Sequence, residues 1–196
     1  TGWYTLSLHD ALPISPPPPG GMVDWERVQR SLLDRNPNLK SECIQVEQDG
    51  EGRPVRIVIR SPEIQDAAPL EICDSVQDLV LSPADENDAW YRDKIAGLRS
   101  LAAVRRMPLR KLNVSYTLID DLKPLAVPNS RLVVLNLRRT GVSDLSPLLP
   151  CPIEELILSG TEVKSLHALR GKNLRRLEIN GLKVNDLSPL SGKPLR

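Results

Sequence analysis

The residues of this sequence best suited to chemistry are a group of tyrosine, arginine and asparagine side chains in its second half. Tyrosine and arginine are the residue types that most often anchor protein interfaces, and asparagine amides both donate and accept hydrogen bonds. We therefore predict that the group contacts a protein partner, with ordinary solvent exposure as the alternative. Its members are Asn113, Tyr116, Asn136, Arg138 and Arg139.

No residues with the spacing of a catalytic, metal or cofactor site accompany this group. The segment that starts at Asp85 suggests a calcium loop, but Trp90 stands at the sixth position, where glycine is needed, and Ala96 at the twelfth, where glutamate is needed. Cys43, Cys73 and Cys151 are odd in number and widely spaced, which fits neither a disulfide framework nor a zinc site. We predict buried cysteines in a reducing compartment, which favours the cytoplasm without fixing the localisation, and no cofactor.

Composition narrows the class of protein. The 26 basic and 25 acidic residues leave a net charge of +1, so there is no electrostatic reason to predict binding to nucleic acid or to an anionic membrane. No run of about 18 apolar residues occurs, so we predict no membrane-spanning segment in this sequence. Hydrophobic residues make up 40% of the chain, yet only 3% is aromatic and none is Phe. Such an aliphatic core suits thin, repeated layers.

The first part of the chain contains three different segments. Residues 4–15 resemble the in-frame translation of a common sequencing adapter, so we leave residues 1–15 out of the fold and expect the native N-terminus to be missing. Residues 16–21 are a Pro/Gly linker. Residues 22–53 are predicted to form a cap, with a helix over 24–35 that Asp24 begins, and then a hairpin built from strands 43–47 and 55–60.

From residue 54 onward the sequence repeats. Four units begin at Leu109, Leu132, Ile153 and Leu174, spaced by 23, 21 and 21 residues, and a further one opens at Leu195; we refer to the four as the first to fourth units. Two degenerate units lie upstream, and the second of them is interrupted by an insertion at about 84–97. We expect the array, residues 54–196, to be truncated within a unit at its C-terminus. A period near 21 predicts a solenoid.

Each unit combines an alternating strand pattern with turn-forming residues. Leu-x-Leu alternation predicts a half-buried strand, and stacking the units would complete a parallel sheet over an aliphatic core. Threonine at 117, 140 and 161 is expected to bond turn carbonyls. Aspartate followed by proline, as in Asp144-Leu-Ser-Pro147-Leu, predicts a short helical or 3-10 turn on the convex side.

At these residues a family resemblance can be stated. The pattern Thr-x-Val-x-Asp-Leu-Ser-Pro-Leu resembles the leucine-rich-repeat arrays found C-terminal to the kinase domain of large bacterial serine/threonine protein kinases. The resemblance covers about residues 30–196 and implies an α/β solenoid with a parallel concave sheet. Kinase motifs are missing from this sequence: it has no glycine-rich loop and no His-Arg-Asp, and the absence of Phe excludes Asp-Phe-Gly.

The concave face should carry the contacts. In-register stacking predicts that Glu154 faces Arg175 and that Glu155 faces Arg176, whereas Arg138 and Arg139 have no evident acidic partner. The sequence therefore predicts a non-catalytic module that binds an unidentified protein partner. The alternatives are the recognition arm of a serine/threonine kinase whose catalytic domain is absent from this chain, and a purely structural spacer.

Overall fold

The computed structural model of this chain describes residues 23–83 and 94–195. The predicted adapter-like segment, the linker and the candidate calcium loop at Asp85, with most of the insertion around it, lie outside the described residues. The described elements are one helix and seven strands: α1 (Trp25–Arg35), β1 (Ile44–Gln48), β2 (Pro54–Ile59), β3 (Asp78–Leu81), β4 (Lys111–Asn113), β5 (Val134–Asn136), β6 (Glu155–Ile157) and β7 (Arg176–Glu178).

Helix α1 begins and ends where the sequence predicts. The Asp24 carboxylate accepts a hydrogen bond from the backbone N–H of Arg27 at 3.1 Å, which satisfies a free donor of the first turn. Val28 and Leu32 are buried, so one face of the helix covers the end of the core. Asn36, which is only 2% exposed, follows the last turn. Its amide donates to the carbonyls of Leu32 and Asp66, both at 2.8 Å, and thereby ties the helix to the first repeat turn.

The seven strands form one sheet in chain order. Strands β1 and β2 pair antiparallel as the predicted hairpin, and every later neighbour pairs in parallel. Parallel neighbours in chain order need a crossover between them, and each repeat supplies one. Leucines occupy one register position across the last five strands, so the predicted alignment of successive rungs is confirmed: Leu79, Leu112, Leu135, Leu156 and Leu177.

One aliphatic core runs through the repeats. Leu112, Leu135 and Leu156 are at most 1% exposed, while Leu177, on the last described strand, is only partly buried. A leucine on an internal strand packs between two neighbouring layers, whereas one on the last strand has a neighbouring layer on one side only. The core is therefore continuous, but each layer depends on the layers next to it.

Short 3-10 turns close the repeats on the side opposite the sheet, as the Asp-Pro pattern predicts. Turns occur at 68–72, 102–104, 123–125, 146–148, 167–169 and 188–190. Asp121, Asp144 and Asp186 each accept a hydrogen bond from the backbone N–H two residues later, at 2.8 to 2.9 Å. These bonds lower the pKa of Asp144 and Asp186, chiefly through the partner serines Ser146 and Ser188.

Threonine hydroxyls close the turn that follows each strand in three units. Thr117 donates to the carbonyl of Val114, and Thr140 donates to that of Leu137, both at 2.7 Å. Thr161 does the same in the third unit. The predicted role of these threonines is confirmed. In the fourth unit Leu182 occupies the position, and the turn there is closed by a backbone hydrogen bond to Ile179 alone among the described contacts.

Candidate functional site

The face of the sheet that points away from the 3-10 turns, here called the open face, carries the candidate contact residues. A shallow groove of about 170 Å³ crosses it over β3 to β7. Its floor includes Asn113, Asn136 and Ile157, and its sides are a row of residues in register, Asp78, Lys111, Val134, Glu155 and Arg176. Acidic and basic side chains alternate around Val134, so the row has little net charge.

Asn113 and Asn136 are largely occupied in holding the backbone. The side-chain oxygen of Asn113 accepts from the N–H of Ser115, and that of Asn136 from the N–H of Arg138, both at 3.0 Å. Asn113 is half-buried and Asn136 is only 6% exposed. Both residues therefore brace the chain where it leaves the strand, at the floor of the groove.

The expectation that Arg138 has no acidic partner is wrong. Its Nη2 lies 2.6 Å from Oε2 of Glu178, a residue two strands away on β7. The intervening strand places Ile157 and Ser159 under this bridge, and the arginine is long enough to pass over them. Pairing logic that considers adjacent strands alone cannot find such a contact. The Arg138 guanidinium is therefore held in an ion pair within the sheet.

The two predicted facing pairs between neighbouring units are confirmed. Glu154 and Arg175 form an ion pair, with 3.2 Å between Oε2 and Nε. Glu155 and Arg176 lie opposite each other in register, and Arg176 also directs Nη2 to Oε1 of Glu178 at 2.6 Å. Glu178 therefore sits between two arginines. Burial opposes its charge, but the hydrogen bonds from Arg176 and Arg138 outweigh burial and lower the pKa of Glu178.

Several positions on the open face are buried. Ser115, Ile157 and Ser159 are all less than a tenth exposed. The hydroxyls of Ser115 and Ser82 lie 2.9 Å apart, and the hydroxyl of Ser159 accepts from the N–H of Asn180 at 3.3 Å. Short side chains between long ones are covered by them, so much of the open face is closed by its own residues.

Tyr116 and Arg139 occupy the most unusual backbone of the site. Both have left-handed conformations, with φ of 57° and 55°. Each lies seven residues after the start of its unit, and the corresponding positions of the third and fourth units are Gly160 and Gly181, with φ of 75° and 79°. The turn therefore needs positive φ in all four units, which glycine adopts freely and a residue with a Cβ adopts at a cost of about 1 kcal/mol.

The side chain of Arg139 lies across the next unit. A Cβ added to Gly160 would stand 3.1 Å from Cδ of Arg139 and 3.5 Å from its Nε, so the arginine uses space that only glycine leaves free. Arg139 is exposed and forms no ion pair with the described part of the chain, and Tyr116 is half-buried. These two side chains, which we call the rim pair, lie at the C-terminal ends of β4 and β5.

The sequence predicted that the two residues of the rim pair are contact residues, but it did not predict their left-handed backbone conformation. When the four units are aligned, Tyr116 and Arg139 stand at the position that Gly160 and Gly181 occupy in the third and fourth units. The two glycines at equivalent positions were the signal that the first two units hold large residues in a glycine position. Nothing in the residue types of Tyr116 and Arg139 alone would have indicated it.

Burial also decides the state of the cysteine thiols in the described residues. Burial raises the pKa of Cys73 to about 12 and also raises that of Cys151, so both thiols are protonated; all three cysteines are free and Cys43 is only partly buried. Over residues 23–83 and 94–195, no group of three or more His, Cys, Asp or Glu side chains is placed to hold a metal ion. The only helix described there is too short and too polar to cross a membrane.

Comparisons with known proteins agree with this architecture. Neither protein-family models nor curated proteins match the chain. Among solved structures, the chain is similar to internalin C2 from Listeria monocytogenes, with a TM-score of 0.57 and 17% sequence identity. The match covers 67% of this chain and 54% of internalin C2, so the chain spans about half the length of that protein.

A second match is an internalin (inlF) from the same organism, with 15% identity, a TM-score of 0.37, and coverage of 83% of this chain and 64% of that one. With a TM-score of 0.37, this second likeness gives no support to the fold, which internalin C2 supports. The one sheet with parallel strands, the 3-10 turn in each repeat and this likeness agree. The chain is a leucine-rich-repeat solenoid.

Proposed function

We propose that the chain is a non-catalytic module that binds a protein partner through the rim pair and the groove beside it. The observation that carries this proposal is the left-handed backbone of Tyr116 and Arg139, where Gly160 and Gly181 serve the same turn without strain. Strained residues persist where a side chain is needed for something other than folding. Tyrosine and arginine are the residues expected in the energetic centre of an interface.

The charges of the open face indicate what kind of partner would fit. Glu178 forms ion pairs with Arg138 and Arg176, and Glu154 forms one with Arg175. Arg139 is left as an exposed cation beside an aromatic ring and a groove of mixed polarity. A partner segment with one acidic side chain flanked by apolar or aromatic residues would satisfy the rim pair. The alternation of acidic and basic side chains along the groove leaves it with little net charge, which favours a protein over a nucleic acid.

Photo-crosslinking from the rim tests this function directly. A benzophenone amino acid replaces Tyr116 in one protein and Leu149 in a second; Leu149 is 62% exposed on the side opposite the sheet. Each protein is irradiated in a lysate of the source cells, and cross-linked products are identified by mass spectrometry. We expect a discrete product from position 116 that is absent from position 149.

The captured partner is then titrated against Tyr116→Gly and Arg139→Gly, with Leu149→Ala as the control. Glycine is chosen because the turn is left-handed, so the side chain is removed without straining the backbone. The two substitutions together remove both interface anchors and should weaken binding by about 30-fold or more. The control should bind normally. Identical products from both positions, or unchanged affinity of both glycine variants, would favour a structural spacer and refute the proposal.

For the parent protein, we propose that the module is the recognition arm of a serine/threonine kinase. Support comes from the resemblance of the Asp-Leu-Ser-Pro-Leu turns to the arrays attached to such kinases, and from the capped 3-10 turns that these residues form. Sequencing the gene upstream of the codon for Met22 tests it. A glycine-rich loop followed by His-Arg-Asp and Asp-Phe-Gly is expected, and an upstream region without these motifs would contradict it.

A further inference from the structure

The first unit differs from the others in the length of its return to the sheet. Eight residues separate the 3-10 turn at 123–125 from β5, whereas six separate the corresponding turns from β4, β6 and β7. The extra residues fall within 126–133, where Asn129 adopts a left-handed conformation with φ of 57°, which asparagine tolerates better than most residues. The longer connection leaves space between itself and the shorter one of the preceding unit.

This space is a pocket of about 230 Å³ on the flank of the solenoid, away from the open face. It lies between the return segments 104–109 and 124–132. A cavity of this size can take a carboxylate-bearing side chain together with part of its backbone. The pocket thus lies where the one connection of eight residues meets a connection of six.

All the charged residues that line the pocket are basic. Its charged lining residues are Arg105, Arg106 and Arg131, and no acidic residue is found among the described residues that line it. All three arginines are exposed, and none of them forms an ion pair with the described part of the chain. This contrasts with the open face, where three arginines form ion pairs with glutamates. Three unpaired guanidinium groups around one cavity favour an anion.

The wall of the pocket also has an apolar part, which the prolines expose while the aliphatic side chains lie almost fully buried behind them. Met107, Leu109, Leu125 and Leu132 belong to its lining, each at most 5% exposed, together with the prolines at 108, 124 and 128. Apolar surface adds nothing to the binding of a small hydrated anion, but it can pack against the methylene groups and neighbouring residues of a peptide. The mixture of guanidinium groups and aliphatic wall therefore fits a carboxylate carried on a polypeptide.

We propose that this flank pocket binds an acidic segment of a protein partner, with carboxylates at the three arginines and an apolar side chain against the prolines. The pocket is a second contact surface, separate from the rim pair. A partner that used both surfaces would hold the chain from the sheet and from its flank, and the second contact would then act at high local concentration.

The test uses a fluorescein-labelled peptide of sequence Glu-Leu-Glu-Glu-Leu-Glu, titrated with the whole chain in low salt and followed by fluorescence anisotropy. The triple variant Arg105→Gln, Arg106→Gln, Arg131→Gln should bind about tenfold more weakly. The control variant Arg27→Gln, Arg30→Gln, Arg170→Gln changes net charge equally at exposed sites outside the pocket, and it should bind like the parent. Inorganic phosphate at the same concentration as the peptide should not displace it.

A second variant tests the cavity apart from its charge. Deletion of Val127 and Pro128 shortens the first unit to 21 residues while keeping all three arginines, and it should weaken peptide binding to a similar extent. Equal weakening by the two triple variants would overturn the proposal, as would displacement by phosphate, which would indicate a bare anion site. Should the deletion variant not fold, the two triple variants decide the outcome. Loss of peptide binding with an intact rim cross-link, or the reverse, separates this proposal from the proposed function.

Discussion

The first two units and the last two make the same turn after their strands, but with different residues. Tyr116 and Arg139 hold it with φ of 57° and 55°, whereas Gly160 and Gly181 hold it with φ of 75° and 79°. The chain therefore had an unstrained solution for this turn and uses it in half of the units. Where it does not, a large side chain stands at the end of the strand.

Under the proposed function, this contrast separates the demands of folding from those of recognition. Glycine at the turn lowers strain, and Gly160 also leaves the space in which Arg139 lies. Residues with a Cβ at the turn raise the energy of the folded state in order to present a ring and a guanidinium. The open face of the last two units is instead closed by ion pairs through Glu178 and Glu154. The two halves of the array share one core and have different surfaces.

The largest effect should come from the shared core. Leu135→Ala removes a fully buried side chain from an internal rung and should lower the free energy of unfolding by about 3 kcal/mol. Leu177→Ala, at a partly buried position of the last described strand, should cost only about 1 kcal/mol. Urea denaturation followed by circular dichroism measures both. Equal losses would mean that the layers are not coupled as described.

A smaller effect is expected at the glycine of the turn. Gly160→Ala places a Cβ at positive φ and within 3.1 Å of Cδ of Arg139, so we expect a loss of about 1 to 2 kcal/mol. Gly50→Ala is the matched control, because Gly50 has open space around it and no positive φ. A Gly160→Ala protein as stable as the control would remove the distinction between the two kinds of unit.

The smallest effect should be a pH dependence of the last two units. The pKa of Glu178 is lowered in the folded chain, so its ion pairs stabilise the fold above the unfolded pKa of about 4.5 and lose that contribution as pH falls through the folded value. Between pH 6 and pH 3 the parent should lose up to about 1 kcal/mol more stability than Glu178→Gln. Glu162→Gln, at an exposed glutamate, should behave like the parent. Identical acid profiles for Glu178→Gln and the parent would contradict the assignment.

Sequence reasoning recovered the features that repeat. The rung leucines, the threonine hydroxyls and the aspartate caps recur at a fixed spacing, and each depends on contacts within a unit or with its neighbour. The start of α1 likewise depends on a contact between residues close in sequence, the hydrogen bond from the N–H of Arg27 to Asp24. Asn36 was predicted only to end the helix, yet it also accepts hydrogen bonds from Gln65 and Asp66. That role requires a partner about 30 residues away, which no local pattern specifies.

The features that the sequence did not indicate are departures from the repeat. The bridge from Arg138 to Glu178 skips a strand and depends on side-chain length and on small neighbours beneath it. The burial of Ser159 and Asn136 follows from the same crowding. The flank pocket follows from a unit of 23 residues among units of 21, a difference visible in the sequence whose consequence is visible only in three dimensions.

The claim on which the rest depends is that the rim pair is kept for contact rather than for folding. The free energy of unfolding of Arg139→Gly tests it most directly, since Arg139 is exposed and its turn favours glycine. We predict a stability equal to that of the parent or higher by about 0.5 kcal/mol, as relief of strain outweighs the added freedom of the unfolded chain. A loss of more than about 1 kcal/mol would show that Arg139 serves the fold and would contradict the account.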